Sequence, residues 1–183
     1  MLENLILITG PSGVGKGSII KELLKRNTNL WLSVSATTRN PREGEIDGID
    51  YYFLKSLEFK EIISKKGFLE WAEFAGNLYG TPFKQVKEKI DFGKKVLLEI
   101  ELEGARQVRK SCPKAFQIFI MPPDLKTLEK RIRSRASETE EEISKRLKRG
   151  YEEIKAKDEF NAVVVNKNID NAVIEIESIL GEI

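Results

Sequence analysis

An α/β fold with a parallel central sheet is predicted by two patterns in this sequence and by the glycine-rich loop that joins its first strand to its first helix. Four short runs are apolar on both faces: Leu5-Ile6-Leu7-Ile8, Val96-Leu97-Leu98, Phe116 to Ile120 and Ala162 to Val165. Such runs suit strands covered by helices on each side. Each is followed by residues at helical spacing: Ile19, Leu23 and Leu24; Ala105 and Val108; Leu125, Leu128 and Ile132; Ile169, Val173, Ile176 and Leu180. Strand and helix in alternation imply βαβ units, and hence parallel strands.

The stretch from about Leu32 to Tyr79 departs from this rhythm. Leu32-Ser33-Val34-Ser35 alternates, Tyr51-Tyr52-Phe53 and Phe68 to Phe74 read as short strands, and Leu57 to Ile63 reads as a helix between them. A small mixed α/β insertion is expected there. A second insertion is expected near Arg133 to Glu142, where Thr139 and Glu142 have the spacing of a capping box that starts a helix at Glu140. The expected organisation is one domain over 1–183, with a core of 1–32 and 82–183, an insertion at about 33–81 and a helical lid at about 133–146. Trp31, Phe59, Phe68, Phe74 and Phe116 are assigned to core packing.

Composition narrows the function classes. Lys and Arg total 31 against 29 Asp and Glu, so a net charge of +2 gives no global pull toward nucleic acid or membrane. No apolar run approaches the roughly 20 residues of a membrane span, and Met1-Leu2-Glu3-Asn4 lacks the basic start of a secretory signal. A soluble, cytoplasmic protein is the expectation. One cysteine, Cys112, excludes an internal disulfide, and the absence of histidine removes Ser-His-Asp and Cys-His catalysis and most zinc sites.

The segment Gly10-Pro11-Ser12-Gly13-Val14-Gly15-Lys16-Gly17-Ser18 lies between the first apolar run and the first helical one, the context a P-loop requires. Glycines let successive N–H groups converge on one anion, the helix N-terminus adds positive dipole, and Lys16 supplies a mobile charge. Gly17 stands where the general motif has the Ser or Thr that holds Mg²⁺, and Ser18 follows it. A three-layer P-loop fold that binds a nucleoside triphosphate with Mg²⁺ is expected, with Ser18 the candidate metal ligand.

A second phosphate reader is expected at Arg39 and Arg42. They bracket Pro41, which restrains the turn and lets two guanidinium forks address one dianion, with Tyr51 and Tyr79 able to complete the cage. Glu99 and Glu101 alternate off one face at a strand end, where α/β sheets place ligands.

The run Ser33-Val34-Ser35-Ala36-Thr37-Thr38-Arg39-Asn40-Pro41-Arg42-Glu43-Gly44-Glu45, continuing through Gly48 and Asp50-Tyr51-Tyr52-Phe53, closely resembles the guanylate kinases, a family of nucleoside monophosphate kinases. Phe68-Leu69-Glu70-Trp71-Ala72, Gly76 to Thr81 and Leu98 to Ala105 extend the resemblance, which runs from about Ile6 to the last helix. It implies transfer of the γ-phosphoryl group of ATP to GMP, with the insertion binding GMP. It implies GMP contacts at Ser35, Arg39, Arg42, Tyr51, Glu70, Tyr79, Thr81, Glu99 and Glu101, and lid arginines at Arg131, Arg135 and Arg146 that act catalytically with Lys16 and Arg39. Asn166 falls beside the ATP adenine. The family usually shows aspartate where Glu101 stands, Gln where Glu103 stands, Gly where Ala136 stands and Asp where Lys167 stands. Arg133, Lys145 and Arg149 are read as solvated ion-pair surface. Two rivals remain: a peptide-binding module of guanylate-kinase type, and a kinase for another phosphorylated acceptor, separated from the first reading by the carboxylates Glu70 and Glu101.

Overall fold

The computed structural model describes residues 3–74, 76–134 and 139–182. Nine strands and seven helices are defined among them. A five-stranded parallel sheet has the order β2 (Leu30–Leu32), β7 (Lys95–Glu99), β1 (Leu5–Thr9), β8 (Phe116–Met121), β9 (Ala162–Val165). All five residues of β1 are buried, as its two-faced apolar pattern requires. A separate mixed sheet has the order β4 (Tyr52–Phe53), β3 (Ala36–Thr37), β6 (Asn77–Pro82), β5 (Phe68–Phe74). In it β3 runs parallel to β4 and antiparallel to β6, and β5 pairs antiparallel with β6 across a register shift between Phe68 and Trp71.

The chain forms two compact units. The first takes in Trp31–Leu98, Glu103–Ala115 and the chain up to Ile6; the second takes in Leu7–Leu30, Glu99–Leu102 and the chain from Phe116 onward. The first unit holds the mixed sheet with helices α2 (Ser56–Ser64), α3 (Phe83–Asp91) and most of α4 (Leu102–Ser111). The second holds α1 (Lys16–Arg26), α5 (Leu125–Arg133), α6 (Glu140–Lys155) and α7 (Ile169–Glu182).

Helix starts are set by side chains that satisfy the first free N–H groups. Asp124 accepts from Thr127 N at 2.7 Å ahead of α5. Ahead of α6, Thr139 N donates to Glu142 Oε2 at 2.8 Å and Glu142 N donates back to Thr139 Oγ1 at 3.3 Å, the reciprocal box that the spacing predicts. Helix α1 has no acidic residue in its first turn and no side-chain cap, so its N-terminal dipole is left for a ligand. Leu128 and Ile132 of α5 pack against Ile143 and Leu147 of α6, with Tyr151 and Ile154 at the border. No helix among the described residues is long and apolar enough to cross a membrane.

Several local expectations need correction. Ser33-Val34-Ser35 is not strand: Ser33 N donates to Leu97 O at 2.9 Å and Ser35 O accepts from Tyr52 N at 2.9 Å, so the segment passes from one sheet to the other. Phe74, at the end of β5, is exposed and adds nothing to the core. Strand β6 carries Gly80 and ends in Pro82, which hide its strand character from propensity.

Candidate active site

The first cluster lies in the second unit. Gly10 to Gly15 join β1 to α1, and Gly15 caps the helix with φ of 99°, in the left-handed region. A Cβ there would stand 2.7 Å from Asn166 Nδ2, so both conformation and space demand glycine. Lys16 is 9% exposed and folds back along the loop, donating from Nζ to Gly10 O at 2.6 Å.

Three elements brace this loop from outside. Arg131 on α5 donates to Val14 O at 3.2 Å and to Asn166 O at 3.0 Å. Asn166, just past β9, donates from Nδ2 to Val14 O at 2.8 Å, and its buried Oδ1 has no hydrogen-bond partner. Arg146 on α6 donates to Ser12 Oγ at 2.7 Å. Arg135 lies outside the described residues. Pro11 and Val14 are buried, Ser12 and Gly13 half-buried, Gly17 and Ser18 exposed at the helix start. Lys16, Arg131 and Arg146 thus bring three cationic side chains to the loop that opens α1, an arrangement chemically suited to a polyanion.

Glu99 reaches solvent at the end of β7, yet protein crowds it, and desolvation raises its pKa; Lys16 opposes the shift and Glu101 adds to it. The Glu99 Oε2 atom stands 3.9 Å from where a Cβ on Gly17 would sit, so this carboxylate overhangs the first turn of α1. Glu101 is bound by Arg149 at 3.0 Å, and Arg149 also donates to Glu153 at 2.8 Å. Arg133, Lys145 and Arg149 are exposed and paired with acidic neighbours, as expected, and one partner of Arg149, Glu153, is buried.

A second cluster lies in the first unit. Arg39 donates to Glu45 Oε1 at 2.8 Å and to Asn40 O at 2.7 Å. Its guanidinium carbon stands 5.5 Å from the Tyr51 ring centre and 5.9 Å from that of Phe53. The Glu45 hydrogen bond raises the Arg39 pKa further above its already high value, against desolvation, which lowers it. Glu45 Oε2 accepts from Arg42 N at 2.7 Å, so one carboxylate fixes both arginines' loop while the Arg42 side chain stays exposed. Tyr51 and Tyr79 meet edge to face at 6.2 Å. Arg39, Tyr51 and Tyr79 thus come together as expected, and Ser35 is half-buried just before β3.

Glu70 on β5 is 7% exposed and accepts from Thr81 Oγ1 at 2.6 Å. Desolvation raises its pKa against the pull of the two Thr81 hydrogen bonds. Among the described residues no lysine or arginine pairs with it. Gly104 makes room for it: a Cβ there would stand 2.6 Å from Glu70 Oε2. A buried carboxylate with no cationic partner is an acceptor awaiting N–H donors.

Glu45, Gly104, Arg149 and Glu153 are the residues to which sequence reasoning gave no site role. The Arg42–Glu45 spacing, typical of a side chain closing a turn, was a local signal for Glu45. The Arg149–Glu153 pair has the i,i+4 spacing of a helical ion pair, a local signal, whereas the approach of Gly104 to Glu70 is long-range and leaves no such trace.

Comparison with known proteins places these clusters in context. The family model described as "Guanylate kinase" matches residues 2–183. Guanylate kinase of one strain of Prochlorococcus marinus is 61% identical over 97% of each chain. Guanylate kinase of a second strain of that organism, NATL2A, is 60% identical over 98% of this chain and 97% of its own. The crystal structure of guanylate kinase from Anaplasma phagocytophilum superposes with a TM-score of 0.78 at 34% identity, covering 97% of this chain and 84% of that one.

Proposed function

The chain belongs to the guanylate kinase family, and from that premise we propose that it catalyses ATP + GMP ⇌ ADP + GDP in the cytoplasm, as a step of purine nucleotide metabolism. The observation that carries the choice of acceptor is Glu70. Guanine presents N1–H and its N2 amino group side by side, and a buried carboxylate without a cation accepts both. Adenine presents a bare N1 lone pair on that edge and would leave the carboxylate unpaired.

In this reading the insertion at about 33–81 binds GMP. Arg39, Arg42, Tyr51 and Tyr79 hold its phosphate, Glu70, Thr81 and Glu101 take the base edge, Ser35 or Arg39 donates to guanine O6, and Glu99 is a further GMP contact. The segment Gly10 to Ser18 holds the ATP phosphates, and Asn166 lies beside the adenine. Phosphoryl transfer needs in-line placement and stabilisation of spread negative charge rather than covalent help. Lys16, Arg131, Arg135 and Arg146 supply positive charge, the last three with the lid at about 133–146. An acceptor phosphate oxygen is already nucleophilic at neutral pH, so no side chain has to remove a proton. Closure of the lid excludes water and so protects ATP from hydrolysis.

Mg²⁺ fits this reading. Ser18 is an exposed hydroxyl at the helix start and Glu99 a carboxylate overhanging it; both are hard oxygen donors. Among the described residues no group of three potential metal-binding side chains forms a cage of its own, which suits an ion that arrives with the nucleotide and keeps part of its water. Bound there with ATP, the ion neutralises charge on the donor phosphates.

An assay of ADP release with GMP, AMP, CMP and UMP as acceptors tests the proposal. GMP should exceed AMP in kcat/KM by about a hundredfold or more. Equal use of AMP would show that neither carboxylate reads the base.

A further inference from the structure

Arg149 stands one turn beyond Arg146 on α6 and spans two acids that differ in setting. Its Nη2 donates to Glu101 Oε2 at 3.0 Å and its Nε to Glu153 Oε1 at 2.8 Å. The Glu101 side chain is 49% exposed, that of Glu153 only 7%. The second oxygen of Glu153 is buried without a hydrogen-bond partner. Desolvation, then the charge of Glu101, raises the Glu153 pKa, while Arg149 and Lys16 oppose the rise.

These settings assign different tasks to the two contacts. A half-exposed pair such as Arg149–Glu101 contributes little to folding stability, so folding alone gives small reason to keep it. The contact with Glu153 is different, because a buried carboxylate stripped of its cation is costly. Glu153 therefore fixes one edge of the guanidinium, and the planar fork carries that fixity outward to Glu101. A glutamate has one more torsion than an aspartate and loses more rotamer freedom when ordered. A tether at its carboxylate offsets that loss.

We propose that Arg149, seated on Glu153, is a positioning residue that holds the Glu101 carboxylate ready for the guanine edge of the acceptor nucleotide. The proposal rests on the reading of Glu101 as a guanine-facing group. It also accounts for a longer acid at this strand end: Glu101 serves there because Arg149 restrains it.

The test is steady-state kinetics of Arg149→Lys, Glu101→Ala and the double variant, with GMP and ATP varied separately. Lysine keeps a cation near Glu153 but cannot span both acids. Arg149→Lys should raise KM for GMP about fivefold, leave KM for ATP and kcat within about twofold, and add nothing further in the Glu101→Ala background. Glu153→Gln, which keeps an acceptor for Arg149 Nε without the charge, should move KM for GMP in the same direction by less. It stands in for Arg149→Lys should thermal unfolding show that variant to be misfolded. An unchanged KM for GMP in Arg149→Lys, with Glu101→Ala impaired, overturns the proposal. So does an equal rise with and without Glu101, which would mark Arg149 as structural. A Glu101→Ala variant with wild-type KM for GMP instead removes the guanine role of Glu101, a different pattern that takes the proposal with it.

Discussion

The two units build their polar sites from different materials. In the second unit the glycine-rich loop is contiguous, from Gly10 to Ser18, and is held by Arg131, Asn166 and Arg146 bonding to Val14 and Ser12; on the proposed reading its donors are largely backbone N–H groups. In the first unit the polar groups come from separate segments: Arg39 is set by Glu45, and Glu70 is set by Thr81 and by the space Gly104 leaves. On the proposed reading the backbone site is indifferent to which base its ligand carries, and the side-chain site is the one expected to discriminate, because a buried acid such as Glu70 is satisfied by one pattern of donors and not by another.

The comparison breaks most readily at Lys16, the one charged side chain within the backbone site. Lys16→Ala should lower kcat by about a thousandfold for every acceptor, with the unfolding temperature nearly unchanged, since the lysine bonds its own loop rather than the core. Loss confined to GMP, with no effect on transfer or hydrolysis of the donor, would mean the loop is not the donor site. Glu70→Gln tests the other unit: kcat/KM for GMP should fall about a hundredfold while ATP binding, followed by calorimetry, stays within about twofold. Wild-type preference for GMP over AMP in that variant would move base reading away from Glu70.

The same contrast explains what could be read in the sequence. The strand, loop and helix around Lys16 were legible because periodicity and glycine spacing are local signals, and the capping box at Thr139 and Glu142 was legible for the same reason. The resemblance to guanylate kinases pointed to Glu70 and Thr81, but nothing local said that Glu70 would be buried without a cation or that Gly104 would face it. Arg149 is exposed and ion-paired, as its charge pattern on α6 indicated, but the burial of its partner Glu153 is a tertiary fact. Phe74 was misread: assigned to the core, it lies exposed at the end of β5.

A pH series sharpens the comparison further. Burial raises the Glu70 pKa above its ordinary value of 4.5, so in the folded protein this acid takes up a proton at higher pH than a free glutamate. A neutral carboxyl cannot accept two N–H groups as a carboxylate does, so GMP binding should weaken as pH falls through that raised value, while ATP binding carries no such limb from Glu70. GMP's own phosphate titrates near pH 6, but it does so equally against wild type and Glu70→Gln. The ratio of their GMP affinities should therefore shrink several-fold on acidification. Stability should respond with the opposite sign: the ionised buried acid costs stability above its raised pKa, and that cost vanishes below 4.5, so Glu70→Gln should gain unfolding temperature relative to wild type at alkaline pH and lose the gain in acid. A ratio flat with pH would mean that Glu70 binds GMP in its neutral form or not at all.

The smallest expected effect is at Gly17, which stands where the general phosphate-loop motif carries the metal-holding hydroxyl. Gly17 is exposed in the first turn of α1, and a Cβ there would meet Glu99 Oε2 at 3.9 Å, an ordinary contact, so serine fits without strain. Serine also forms helix better than glycine by a few tenths of a kcal/mol, and its hydroxyl suits a helix start. Gly17→Ser should therefore raise the unfolding temperature by about a degree or two. Its effect on catalysis depends on who holds the metal. If Ser18 and Glu99 already serve Mg²⁺, directly or through its water, a second hydroxyl beside them adds no ligand that the ion lacks, and kcat and the Mg²⁺ dependence of the rate should stay within about threefold of wild type. A tenfold or larger gain in apparent Mg²⁺ affinity at unchanged kcat would show instead that the native loop leaves that coordination position to water.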